Sequence, residues 1–256
     1  MKKFITNKVF LTTIGCILFL LLWIIISAII GDTKMIFPDP FSTIKETFNI
    51  LGYPYVYKCI LWTMIRMIIG FVVSFIFALI FGVLAGNFPS FKTVMNPTIT
   101  AIKSVPTAAL VFLFLVLVKK AKFAPIFIVI LISFPILYES IAAGIHNVPS
   151  DLLEAAKVDG ANHRKTIMRI RLPLAMPYIL LGVTSSFALA FKIEIMAEVI
   201  TGSTSDGLGS AILAAQKNDP SNMVKIFAYS LIAIVFILIV TLLEEIVAKH
   251  LKKKTS

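Results

Sequence analysis

The run Val9–Ile30, VFLTTIGCILFLLLWIIISAII, holds no charged residue. About 20 apolar residues cross a bilayer as a helix, because hydrocarbon offers backbone N–H and C=O groups no partners but each other. The run is too long for a signal-peptide core and ends in no small-residue cleavage site, so it reads as a retained transmembrane helix. Six such spans can be drawn, at about 9–30, 58–87, 93–118, 123–145, 173–200 and 225–247. With 59% of its 256 residues hydrophobic and 14% charged, the chain is expected to be an all-α integral membrane protein. The connections are short, so residues 1–256 read as a single transmembrane domain. No internal repeat is visible, which weighs against ion-driven transporter folds built from two related halves.

The net charge of +11 sits in short segments between and after the spans. That placement favours membrane lipid, and not nucleic acid, as the partner of the basic residues. Of the 24 Lys and Arg, thirteen fall on the side of the N-terminus and eight on the other, with three inside spans. Both termini are therefore expected in the cytoplasm. The Lys119–Lys122 cluster dissents, since this orientation puts it outside. Cys16 and Cys59 lie in or beside spans and suit neither a metal cluster nor a disulfide framework. His146, His163 and His250 fall in or near polar segments and read as solvated. No GxxxxGK[ST], HExxH, CxxC or GxSxG occurs, so no catalytic or metal-binding residue is assigned and no enzyme activity is expected.

Two polar connections have structure of their own. In residues 37–57, Pro38 and Pro40 stop any preceding helix, and Thr43 and Glu46 have capping-box spacing. Ile44, Phe48 and Leu51 then follow at i, i+4, i+7 before Gly52 and Pro54, the pattern of a short amphipathic helix at the membrane surface. Residues 147–172 form the second. Ser150 and Asp151 suit an N-cap, and Asp151 and Glu154 put acid in the first turn of a helix through LLEAAKV. Gly160 suits a left-handed stop, and a second short helix over 163–171 precedes Leu172-Pro173. The expected product is a knob of helix, glycine joint and helix.

Charges at membrane depth are costly, and Arg66, Lys103, Glu139, Lys192, Glu194 and Glu198 fall within or at the edges of spans. Arg66 and Glu198 should lie in one half of the membrane and pair. Lys103 and Glu139 should pair in the other half. Lys192, deepest in its span, is the candidate to assist an anion. Asn96-Pro97, Pro106, Pro125 and Pro135 are expected to break helices where spans line a pathway. Gly82 and Gly86 give GxxxG, which allows close helix approach.

The pattern Glu154-Ala155-Ala156, three residues ending in Asp159, Gly160, nine residues, Ile170, one residue, Leu172-Pro173 resembles a cytoplasmic loop signature. It belongs to permease subunits of bacterial ATP-binding-cassette importers. FPDP at 37–40, RMIIG at 66–70, KSVP at 103–106, Phe134-Pro135, and Glu198 followed by Gly207-Leu208-Gly209 are similar to the nitrate, sulfonate and taurine branch. The similarity covers about residues 36–245. Two departures stand out: KKAKFAP replaces a glycine-containing turn, and Glu139 stands near a position where the branch commonly has an uncharged residue. The resemblance implies a type I importer permease fold in the bacterial cell (inner) membrane. It implies a second permease copy, identical or related, and a periplasmic or extracellular solute-binding protein. Two ATPase subunits would carry ATP and Mg, with no cofactor on this chain. Glu154, Ala155, Ala156, Asp159, Gly160, Ile170, Leu172 and Pro173 would form the ATPase-coupling loop. The expected solute is a small anion (sulfonate, taurine or nitrate-like) or a vitamin-precursor-like molecule. An ion-driven secondary transporter and a non-transport membrane scaffold remain the rivals.

Overall fold

A computed structural model describes residues 8–31, 36–118, 121–202 and 206–255, with side chains described over 10–31, 36–118, 122–202 and 206–242. Lys2, Lys3, Lys34, Lys119 and Lys120, which entered the orientation argument, lie outside the described residues. So do the side chains of Lys8, Lys249, Lys252, Lys253, Lys254 and His250. The elements are helices: α1 (Lys8–Ile30), α2 (Pro40–Leu51), α3 (Pro54–Asn87), α4 (Pro89–Ser104), α5 (Thr107–Leu117), α6 (Ala124–His146), α7 (Ser150–Val158), α8 (His163–Thr166), α9 (Leu172–Thr201), α10 (Leu208–Asn218) and α11 (Met223–Thr255). Among the described residues, five are long and apolar enough to cross a membrane, or six if the bent pair α4–α5 counts as one span.

The centre of the bundle is α6, held between α3 and α9. Small residues recur every four positions along α3 at Gly70, Ser74, Ala78, Gly82 and Gly86, all buried. The GxxxG pair is the end of this longer stripe. A Cβ at Gly82 would meet Ile141 at 2.8 Å, and one at Gly86 would meet the Ala142 carbonyl at 2.9 Å, so α6 lies nearly against the α3 backbone. In lipid, where apolar side chains gain little by leaving their surroundings, such close approach supplies dispersion contacts that wider residues would forfeit. Ser74 satisfies its hydroxyl by donating to the Ile130 carbonyl at 3.1 Å.

The span expected at 93–118 is not one helix. It bends by 97° between α4 and α5. Val105 (φ −77, ψ 128) is extended, as the residue before a proline prefers, and Pro106 cannot donate to the ladder. The other three expected breaks do not occur. Pro97 and Pro135 lie inside continuous helices, and Pro125 sits in the first turn of α6, where a missing N–H goes unnoticed.

At one end of the bundle, the FPDP segment clamps α1 to α11. Trp23 donates to the Pro38 carbonyl at 2.9 Å, and Phe37 meets Phe227 edge-on at 5.5 Å. The cap of α2 is Asp39, which accepts from the Ser42 amide at 2.9 Å, so the Thr43–Glu46 capping box is not formed. Hydrogen bonding from Ser42 holds the Asp39 carboxyl below its usual range, as a cap working in its charged form requires. Thr43 lies one turn in, buried, donating to the Asp39 carbonyl. The expected apolar stripe exists, but Ile44 and Phe48 face outward, while Thr43, Thr47 and Ile50 are buried and α2 packs on α11.

Candidate functional site: two ion pairs and a helical knob

Arg66 of α3 and Glu198 of α9 meet at 2.6 Å, with the carboxylate fully buried. The Thr63 hydroxyl, one turn before Arg66, donates to both carboxylate oxygens at 2.9–3.0 Å. The Gly209 amide donates to Glu198 Oε2 at 2.9 Å, and the Leu208 amide to Thr63 Oγ1 at 2.9 Å. Helix α10 has no side-chain cap of its own. Glu198 and Thr63 supply it from two other helices, placing a carboxylate where the α10 dipole favours one. Lys58 adds an ion pair to Asp206 at 3.1 Å beside this clasp. Sequence reasoning missed Thr63; a polar residue one turn from a buried arginine is the signal that points to it.

Glu194, one turn from Glu198, is also fully buried, yet neither carboxyl oxygen has a hydrogen-bond partner among the described residues. Lys192 is exposed on the single chain and makes no ion pair among the described residues. Pairing thus joins Arg66 to Glu198 and leaves these two aside. Lys103, at the end of α4, reaches Glu139 of α6, both carboxylate oxygens lying 2.9 Å from Nζ. This second pair is half exposed, 50% and 48%, and stands beside the break at Val105–Pro106.

At the opposite end from the Glu198 clasp, α7 and α8 form the knob. The helix starts at Ser150 with Pro149 in the cap position, so neither Ser150 nor Asp151 caps it; the Ser150 hydroxyl donates to Asp151 instead. Asp151 is in the first turn and Glu154 in the second. Gly160 has φ +74, and the Gly160 and Ala161 amides bond back to the Lys157 and Ala156 carbonyls, the paired bonds of a glycine-terminated helix. Asn162 then caps α8 by accepting from the Lys165 amide at 2.9 Å. The expected second helix does not end at Leu172-Pro173. It passes through a π turn, Ile167–Arg171, directly into α9, with the Leu172 amide reaching the Ile167 carbonyl. Pro173 lacks the N–H that would keep the ordinary ladder, and a wider turn absorbs the mismatch.

Within the knob, Ala156 is buried, Ile170 and Leu172 are partly buried, and Glu154, Ala155, Asp159, Gly160 and Pro173 are exposed. A cleft of about 340 Å³ between its two helices is lined by Glu154, Lys157, His163 and Arg171. Arg171 also donates to Asn87 Oδ1 at 2.8 Å, tying the π turn to the end of α3. Leu152, Val158 (88%) and Met168 (59%) stand exposed on this polar segment.

A bundle of membrane-length helices, with one span broken, one buried and one half-exposed ion pair between its helices and a polar knob at one end, is the build of a membrane transport subunit. The chain belongs to the family of binding-protein-dependent transport system inner membrane components, whose family model matches residues 78–255. It is 28% identical to the bicarbonate transport system permease protein CmpB of Synechocystis sp. over 73% of this chain and 69% of the relative. It is 25% identical to the nitrate import permease protein NrtB of Synechococcus elongatus, over 75% of this chain and 72% of the relative. A solved structure of the MetNI methionine ABC transporter in an inward-facing conformation shares the fold, with a TM-score of 0.65 at 18% identity, covering 80% of this chain and 98% of that one.

Proposed function

We propose that this chain is the pathway-forming subunit of an ATP-driven importer and that its knob is where a separate ATPase subunit grips it. The observation that carries this is the knob itself. Large apolar side chains on a polar segment outside the bilayer, Val158 and Met168 above all, are what a docking partner covers. The π turn and the Arg171–Asn87 bond join the knob to α9 and α3, the helices that meet again at Glu198. Movement of the knob therefore has a mechanical route to the far end of the bundle. ATP and Mg belong to the ATPase, and hydrolysis is not assigned to this chain.

A second permease, identical or related, completes the pathway on the face carrying the α4–α5 break, with both termini cytoplasmic in a bacterial cell membrane. Backbone freed from a helix at membrane depth is tolerated against protein or water and not against lipid, and Ser104, Val105 and Pro106 are exposed on the single chain. A solute-binding protein delivers to the opposite end a small solute bearing an anionic group, sulfonate-, taurine- or nitrate-like, or else a vitamin-precursor-like one. In the purified importer, Gly160→Val and Glu154→Lys should leave membrane insertion and permease pairing intact and sharply reduce ATPase co-purification and uptake. The valine is disfavoured by φ alone, since space at Gly160 is open. Full ATPase binding and uptake in both variants would make the knob an ordinary connection.

A further inference from the structure

Resting on the importer assignment above, we propose that Lys103 and Glu139 form a solute subsite selective for zwitterions, in which the solute's anionic group takes Lys103 and its cationic group takes Glu139. Glu139 lies about 10 Å along α6 from His146 and about 22 Å from Ala124, at a rise of 1.5 Å per residue. That depth is within the hydrocarbon. An ion pair half exposed there cannot face lipid, so its open side belongs to the pathway or the second permease. Immediately beside it, a cavity of about 200 Å³ is lined by Lys103, Val105, Thr107, Leu110, Ile132 and Pro135. Lys103 thus borders a small, mostly apolar space at the one sharp break in the described spans, and Glu139, half exposed, stands against Lys103 outside that lining.

The chemistry of the pair selects what can occupy that space. A simple anion drawn to Lys103 arrives beside the Glu139 carboxylate, 2.9 Å from the same Nζ, and either suffers like-charge repulsion or strands Glu139 unpaired. A simple cation meets the mirror problem at Lys103. A solute carrying both charges replaces one ion pair by two and leaves nothing unpaired. Discrimination here comes as much from the penalty on the wrong solute as from attraction to the right one. The subsite would therefore differ in kind from one suited to bicarbonate or nitrate.

The test uses the permease–ATPase complex in nanodiscs, without the binding protein, so that only the permease's selectivity is read. Calorimetry compares isosteric pairs: glycine betaine against 3,3-dimethylbutanoate, and taurine against propane-1-sulfonate. At least one zwitterion should bind about tenfold or more tightly than its anionic isostere, the usual scale for a missing polar partner. Glu139→Gln should erase that preference. The exchanged pair, Lys103→Glu with Glu139→Lys, keeps a bridge between α4 and α6 and should fold at normal yield, yet lose about tenfold in zwitterion affinity because its polarity toward the cavity is reversed. Equal or tighter binding of the isosteres, nitrate or bicarbonate overturns the proposal, as does no binding of either zwitterion. Unchanged binding by the exchanged pair reduces the bridge to a structural one. Failure of the importer assignment shows separately, as absence of any co-purifying ATPase, and would take this subsite with it.

Discussion

Two glutamates one turn apart in α9 make opposite demands on their surroundings. Glu198 is satisfied by Arg66, Thr63 and the Gly209 amide, whereas Glu194 is buried without a hydrogen-bond partner among the described residues. Removing one member of a buried pair leaves an uncompensated charge, at a cost of about 3–5 kcal/mol. Arg66→Ala and Glu198→Ala should each lower folded yield and melting temperature, and the double variant should recover part of the loss. Strictly additive losses in the melting data would reject the pairing. Glu194→Leu should behave differently, leaving stability unchanged or raised, because an apolar group of similar size replaces an unpaired polar one. A melting temperature lowered as far as that of Glu198→Leu would mean that Glu194 has a partner in the assembled importer. The Arg66–Glu198 pair was legible in the sequence because hydrocarbon makes pairing nearly obligatory. Thr63 left only a weak signal, its place one turn from Arg66, since a threonine in a span is unremarkable until two neighbouring helices turn toward it.

Helices, in turn, are distinguished by what their small residues meet. Gly82 and Gly86 sit against Ile141 and Ile145 of α6, whereas an added Cβ at Gly15 of α1 would meet nothing within 4 Å. Gly82→Val and Gly86→Val should each wedge α3 from α6 and destabilise the bundle by about 1–3 kcal/mol or more. Gly15→Val should be near neutral. Equal melting temperatures for all three variants would show that close approach contributes little to this fold. The GxxxG spacing was visible beforehand, but its partner helix was not. Nor was the rest of the stripe, since Ser74 and Ala78 join it only once a single face of α3 is known to be buried. The α4–α5 break teaches the converse. Pro97, Pro106, Pro125 and Pro135 look alike as breakers in sequence, yet only Pro106 follows a residue in extended conformation and ends a helix. The others stand where packing or a first turn absorbs the missing N–H.

On the scale of the whole molecule, the knob and the Glu198 clasp lie at opposite ends, so orientation can be tested by labelling either. In a background lacking Cys16 and Cys59, a cysteine at Lys122 should react with an impermeant thiol reagent on intact cells, and one at Asn162 should not. The reverse pattern would invert the proposed topology. What the sequence by itself determined was local: spans of bilayer length, the two-helix knob with its glycine joint, and the need for buried charges to find partners. These follow from hydrocarbon thickness, backbone hydrogen bonding and desolvation, which act on a segment wherever it sits. Tertiary structure decided which proline breaks a span, that α10 borrows its cap from α3 and α9, that the knob's second helix runs unbroken into α9, and that Arg171 ties it to Asn87. Each of those outcomes depends on a group far away in the chain, and local propensity carries no information about which distant group arrives.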